Sequence, residues 1–83
     1  MNTEDILNKV KTIITSVANV QTGVSIRGNQ KLLDYLPTDT YIDSLAVQVK
    51  KTFPKVDSTD LVNAINKNSI VTIFDLVQTI KQA

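Results

Sequence analysis

The spacing of the apolar residues is the feature that most restricts the fold of this 83-residue chain. Near its start, apolar residues recur three and four positions apart, at Ile6, Val10, Ile13, Ile14 and Val17. Because that spacing places side chains on one face of a helix, it predicts a helix over residues 3–18, with Thr3 as its N-cap. The chain is also rich in Val and Ile, which favour strands, but a sustained helical period is the stronger signal.

A second helix is predicted in the middle of the chain. Tyr41, Leu45, Val49 and Phe53 fall four residues apart, so their side chains share one helix face. Pro54 ends this helix, because proline lacks the N–H that would continue the hydrogen-bond ladder and disfavours helical geometry just before itself. We expect Leu45 and Phe53 to be core residues.

The clearest helix start lies near the C-terminus of the chain. Thr72 and Asp75 have the T-x-x-D spacing of a capping box, in which each residue satisfies the backbone N–H of the other. The inner face of this last helix is predicted to consist of Ile73, Val77 and Ile80. A shorter helix is expected to follow a cap at Ser58 or Thr59 and to stop near residues 66–68.

Residues 19–37 have no sustained period and predict a long first loop. Such a loop is usually held by a few apolar anchors, here expected at Val24, Ile26, Leu32, Leu33 and Leu36. Together the segments predict an all-α fold, a small three-to-four-helix bundle with a long first loop, forming a single domain over residues 1–83.

Composition excludes several classes of function. Nine Lys and Arg residues against eight Asp and Glu residues give a net charge of +1, too little to suggest a nucleic-acid partner. The chain has neither Cys nor His, which removes disulfides, zinc fingers and thiol or imidazole catalysis, so we do not expect an enzyme. No apolar run reaches the roughly 18 residues of a membrane span, and the acidic start is unlike a signal peptide. We therefore expect a cytoplasmic monomer without membrane contact.

One segment carries a chemical motif. Asp43-Ser44-Leu45 resembles the D-S-L attachment motif of acyl carrier proteins and of the related peptidyl and aryl carrier domains. The apolar stretch 32–36 and the segment 70–80 are also similar to parts of that family. The resemblance implies an acyl-carrier-protein-like fold in which Ser44 carries covalent 4′-phosphopantetheine from coenzyme A.

The same resemblance implies roles for the neighbouring residue and for partner proteins. Asp43 would correspond to the family's aspartate beside the serine, which is associated with the metal and the transferase during loading. The expected partners are a phosphopantetheinyl transferase and acyl-transferring or condensing synthase enzymes. A chain without cysteine can still carry thioesters, because the reactive thiol belongs to the cofactor.

The motif allows a second alignment. The family usually has a glycine two residues before the Asp-Ser pair, and here that position is Tyr41. Aligning the stretch 32–41 instead places Thr40 at the serine position and gives the second helix its usual length. The chain would then be a carrier-like helical module without cofactor, acting by protein–protein docking. Ser44 would be an ordinary surface or capping serine.

The second helix also suggests the kind of partner. Carriers of dissociated fatty-acid synthesis are typically acidic along this helix, whereas this chain has Lys50 and Lys51 and no carboxylate between Asp43 and those lysines. We expect Leu45, Lys50 and Lys51 to contribute to docking and the protein to serve a specialised polyketide- or peptide-type pathway. The alternative is that these lysines, with Lys55, form an ordinary solvated helix face.

Overall fold

Four α-helices form most of the computed structural model, which describes residues 2–21 and 24–83. The elements are α1 (Thr3–Val17), a 3₁₀ turn (Leu32–Asp34), α2 (Asp39–Thr52), α3 (Ser58–Asn66) and α4 (Ile73–Lys81). Within the described ranges, the only extended pairing is an isolated antiparallel bridge between Lys31 and Thr72. The prediction of a small all-α bundle is confirmed. No described helix combines the length and the apolar character that a membrane crossing requires.

The helix caps differ from the predicted ones at two starts. The N-cap of α1 is Asn2, not Thr3, because the Asn2 carboxamide oxygen accepts the Asp5 N–H at 2.8 Å. The N-cap of α3 is Asp57, one residue before the predicted Ser58 or Thr59. Both capping residues have an extended backbone, which lets a short polar side chain reach the amide three residues later.

The core is built from all four helices and from the first loop. Leu45 is completely buried and Phe53 is nearly so, which confirms both as core residues. Ile73, Val77 and Ile80 are also buried, as predicted for the inner face of α4. Among the described residues, no polar or charged side chain is buried, so the core is held by apolar contacts.

The helix α1 runs antiparallel to both α2 and α4. At its N-terminus, Ile6 lines a groove with Phe53 and Ile80, near the C-termini of the other two helices. At its C-terminus, Val17 lines a groove with Ser44 of α2. The N-termini of α2 and α4 therefore lie with the C-terminus of α1 at one end of the bundle.

The capping box of α4 forms as predicted. The Thr72 hydroxyl accepts the Asp75 N–H at 3.1 Å, and the Asp75 carboxylate accepts the Thr72 N–H at 3.0 Å. The same carboxylate oxygen also accepts the Val71 N–H at 3.0 Å. The hydrogen bonds from Thr72 and Val71 favour the charged form and hold the pKa of Asp75 below its usual value.

The first loop is attached to the start of α4 by three backbone hydrogen bonds. They run from Leu32 N–H to the Val71 carbonyl, from Ile73 N–H to the Gln30 carbonyl and from Phe74 N–H to the Gly28 carbonyl. Their lengths are 2.9, 3.0 and 2.8 Å, in that order. We call this connection, between residues 28–32 and 71–74, the clasp.

Three of the five predicted loop anchors are core residues, namely Ile26, Leu32 and Leu36. The prediction was wrong for the other two, since Val24 is 52% exposed and Leu33 is 42% exposed. Leu33 follows the buried Leu32 within a 3₁₀ turn, where successive side chains point in different directions. Sequence spacing alone could not separate the inward residue from the outward one.

Candidate attachment site on α2

The start of α2 differs from the starts of the other three α-helices. Thr38 is its N-cap, with an extended backbone, but the Thr38 side chain makes no capping hydrogen bond. The N-caps of α1, α3 and α4 all accept such a bond. The first amides of α2, at Asp39 and Thr40, precede the point where an intrahelical acceptor exists. They therefore face outwards at the positive end of the helix dipole.

The two candidate hydroxyl residues occupy different turns of α2. Thr40 is the second residue of the helix and Ser44 is the sixth, and both are exposed. At a rise of about 1.5 Å per residue, Ser44 lies about 7.5 Å along the axis from Asp39. The structure thus places Thr40 at the exposed helix start and Ser44 one turn further in.

Two residues of the tripeptide motif lie at the surface and the third lies in the core. Asp43 and Ser44 are exposed, whereas Leu45 is completely buried. The buried leucine fixes the rotation of α2, so that the carboxylate and the hydroxyl face solvent. Because its side chain is inaccessible, Leu45 does not form part of a docking surface, and its place among the expected docking residues is corrected accordingly.

Two shallow grooves flank Asp43. One, of about 420 Å³, lies between α1 and α2 and is lined in part by Ser16, Val17 and Ser44. The other, of about 350 Å³, lies between α2 and α3. The side chain of Ser44 therefore borders an open groove, and its hydroxyl can be approached from outside.

The lysines lie at the other end of α2. Lys50 and Lys51 are exposed in its last turn, about one and a half turns or more beyond Ser44. The ammonium of Lys50 donates to the Pro54 carbonyl at 2.6 Å, beyond the end of the helix. This position also suits a cation, because the C-terminus of a helix carries partial negative charge. The lysines therefore stabilise the end of α2 independently of any role in docking.

Within the described part of the chain, no group of three or more Asp or Glu side chains is placed to hold a metal ion. Near the motif, Asp43 is the carboxylate that borders the same groove as Ser44.

Comparison of the chain with family models, with curated proteins and with solved structures found no match. The carrier resemblance therefore depends on the residues of this sequence alone.

Sequence reasoning missed the uncapped start of α2. Thr is a common N-cap residue, so Thr38 gave no sign that its side chain would leave the first amides without a partner. The prediction that Tyr41 lies on the inner face of α2 was wrong, since Tyr41 is 39% exposed. The helix instead packs on the core through Ile42, Leu45, Ala46 and Val49, so Ile42 is its first buried residue.

Proposed function

We propose that this protein is a carrier protein that bears 4′-phosphopantetheine on Ser44 and shuttles acyl, aminoacyl or aryl thioesters between partner enzymes. The observation that carries the proposal is the placement of the Asp43-Ser44 pair. Both side chains are exposed on the second helix of a small bundle, directly before a leucine that anchors this helix in the core.

The residues present fit such a group. A carrier makes no bonds itself and needs one hydroxyl that a transferase can reach, and Ser44 borders an open groove between α1 and α2. Asp43 beside it supplies a carboxylate for the transferase and its metal to contact. When bound, the cofactor supplies the thiol that forms the thioester.

The test is the intact mass of the protein after incubation with coenzyme A and a promiscuous phosphopantetheinyl transferase. The wild type should gain the mass of one phosphopantetheine, and Ser44→Ala should gain none. Ser16→Ala is the matched control, because Ser16 lies on the opposite wall of the same groove and its loss should leave loading intact. A wild type that no competent transferase loads would refute the proposal.

The charge of α2 supports a specialised pathway over fatty-acid synthesis. A partner enzyme that reads an acidic helix with Arg and Lys would meet Lys50 and Lys51 instead, and like charges at an interface disfavour that partner. The true partner should then present a neutral, apolar or acidic surface to the C-terminal half of α2.

A second function is favoured by the position of Thr40. The outward-facing amides and the positive end of the dipole lie at Thr40, and the dipole's effect falls off within the first turn. A phosphodiester on Ser44 would gain less from them than one at the helix start. On this view the chain is a carrier-like docking module without cofactor, with threonine at the attachment position.

One substitution distinguishes the two functions. Thr40→Ser places a serine in the first turn of α2 without removing the D-S-L tripeptide. If the wild type stays unloaded and Thr40→Ser is loaded at residue 40, the docking module is the correct function. If the wild type is loaded at Ser44, the protein acts as a carrier.

A further inference from the structure

Of the two grooves that flank Asp43, Ser44 lines the one between α1 and α2. The residues that line this groove, of about 420 Å³, are Ser16, Val17, Asp43, Ser44, Val47 and Gln48. The second groove is lined by described residues of α2 and α3, and Ser44 is not one of them. Val47 lines both grooves and therefore forms the ridge between them. A group attached to Ser44 thus starts on the α1–α2 side of this ridge.

The α1–α2 groove runs from Ser44 towards the C-terminus of α2. Val47 and Gln48 follow Ser44 by three and four residues, so the three side chains share one side of the helix. They span about 6 Å of the helix axis. Val17 of α1 belongs to the opposite wall. Asp43 lies before Ser44, and its carboxylate repels a phosphodiester on Ser44. A chain that begins at Ser44 is therefore directed along the groove towards Gln48.

The groove offers both kinds of contact that a pantetheine chain can use. Such a chain has a carbon bearing two methyl groups, followed by two amides. Val47 is 49% exposed and Val17 is half-buried, so each presents methyl groups to the groove. The Gln48 carboxamide is exposed and can both donate to and accept from an amide. The volume of about 420 Å³ lies within the range of small-molecule sites, roughly 300–1,000 Å³.

Covalent attachment makes even a weak contact with the groove effective. A short tether gives the attached chain an effective concentration of about 1 mM. A groove with a Kd of about 1 mM would then hold the chain for about half of the time. Because the extended chain is longer than the distance of about 6 Å that separates Ser44 from Gln48 along the axis, its thiol would emerge beyond the groove.

We propose that the phosphopantetheine arm lies in the α1–α2 groove, between Val17 and Val47 and with an amide against Gln48. This inference rests on the proposed function, since it concerns the arm that Ser44 carries. It places the arm on the side of α1 and leaves the groove between α2 and α3 empty of it. The thiol is then presented beside the C-terminal half of α2, where Lys50 and Lys51 lie.

The test is NMR spectroscopy of the isotope-labelled full chain before and after loading with phosphopantetheine. Loading should give nuclear Overhauser contacts from the two methyl groups of the arm to the methyl groups of Val17 and Val47. The amide signals of residues 16–17 and 47–48 should shift on loading, and those of residues 58–63 should not.

Two matched pairs of variants distinguish the grooves. Gln48 and Asn63 are exposed carboxamide residues, one on each groove. Gln48→Ala should lower the loading-induced shift of the Val17 amide signal about twofold, and Asn63→Ala should leave it unchanged. Val17 and Val62 are half-buried valines, again one on each groove. Val17→Ala should lower the loading-induced shift of the Gln48 amide signal about twofold, and Val62→Ala should leave it unchanged.

The outcomes separate this inference from the proposed function. A loaded protein without contacts from the arm to Val17 or Val47 would overturn the inference and leave the carrier function standing. Contacts from the arm to residues 58–63 would place it in the other groove and would also overturn the inference. A wild type that no competent transferase loads would refute both, because Ser44 would then carry no arm.

Discussion

The helices α2 and α4 start at the same end of the bundle, but their first turns are built in opposite ways. At α4, the side chains of Thr72 and Asp75 together satisfy three backbone amides. At α2, the side chain of Thr38 satisfies none. Asp39 is the acidic residue in the first turn of α2, and it lies at the surface.

The difference separates a helix start that is closed by side-chain capping from one whose N-cap side chain makes no capping hydrogen bond. The start of α4 holds the first loop through the clasp, so its amides serve the fold. The start of α2 keeps outward-facing amides and the positive end of its dipole exposed, an arrangement that favours anions. The two hydroxyl residues proposed or considered for attachment, Ser44 and Thr40, lie within the first two turns of this open helix.

The largest expected effect comes from the residue that fixes the rotation of α2. Leu45→Ala should lower the free energy of unfolding by about 2–5 kcal/mol, because it leaves a cavity in the core. Val47→Ala, on the exposed side of the same helix, should change it by less than about 0.5 kcal/mol. Urea unfolding measures both. Similar values for the two variants would mean that α2 does not pack in the orientation described.

The next effect compares the two helix starts directly. Thr72→Ala should cost about 1–2 kcal/mol, because it removes a cap and leaves the Asp75 amide without its acceptor. Thr38→Ala should cost no more than a few tenths of a kcal/mol, since the Thr38 side chain makes no capping bond. Equal costs in urea unfolding would contradict the contrast between a closed and an open start.

A smaller effect is expected in the pH dependence of the free energy of unfolding. The pKa of Asp75 is lowered in the folded protein by the hydrogen bonds from Thr72 and Val71. Its contribution to stability is therefore complete above the unfolded-state pKa, near pH 4, and is lost as the pH falls through the lower folded-state value. Asp75→Asn keeps a side-chain oxygen acceptor without this titration. Stability measured from pH 6 to pH 2 should fall less steeply in the variant, and identical slopes would show that the capping box does not contribute.

The smallest effect concerns partner choice at the far end of α2. A fatty-acid ketosynthase should ignore the loaded protein, and the double variant Lys50→Glu/Lys51→Glu should be recognised several-fold better, because it removes like-charge repulsion. Competition assays against an acidic carrier measure this recognition. If the unaltered protein supports elongation as well as the acidic carrier does, the argument from charge fails.

The helices could be predicted from sequence because their core faces repeat regularly. The capping box of Thr72 and Asp75 was predictable for a similar reason, since both partners are side chains at a fixed spacing. Asn2 and Asp57 were missed as caps because the residues that follow them are equally good capping types. Only the backbone conformation shows which of the two adjacent residues is the N-cap.

The candidate site was less predictable than the fold. The sequence alone allowed either Thr40 or Ser44 as the attachment residue, since each can be placed near the front of the same amphipathic segment. The helix start at Asp39 decides which of them lies in the first turn, and no side-chain bond from Thr38 marks that start. The prediction that Leu45 contributes to docking conflicted with its predicted core role. The structure shows that Leu45 is a fully buried core residue.

The most direct test of the carrier proposal is to map where phosphopantetheine is attached. The wild-type protein would be incubated with coenzyme A and transferase, digested, and the α2 peptide containing both Thr40 and Ser44 fragmented in a mass spectrometer. The proposal predicts that the added mass lies on Ser44 alone. Attachment at any other residue, or an α2 peptide that stays unmodified while a known carrier in the same tube is fully loaded, would contradict it.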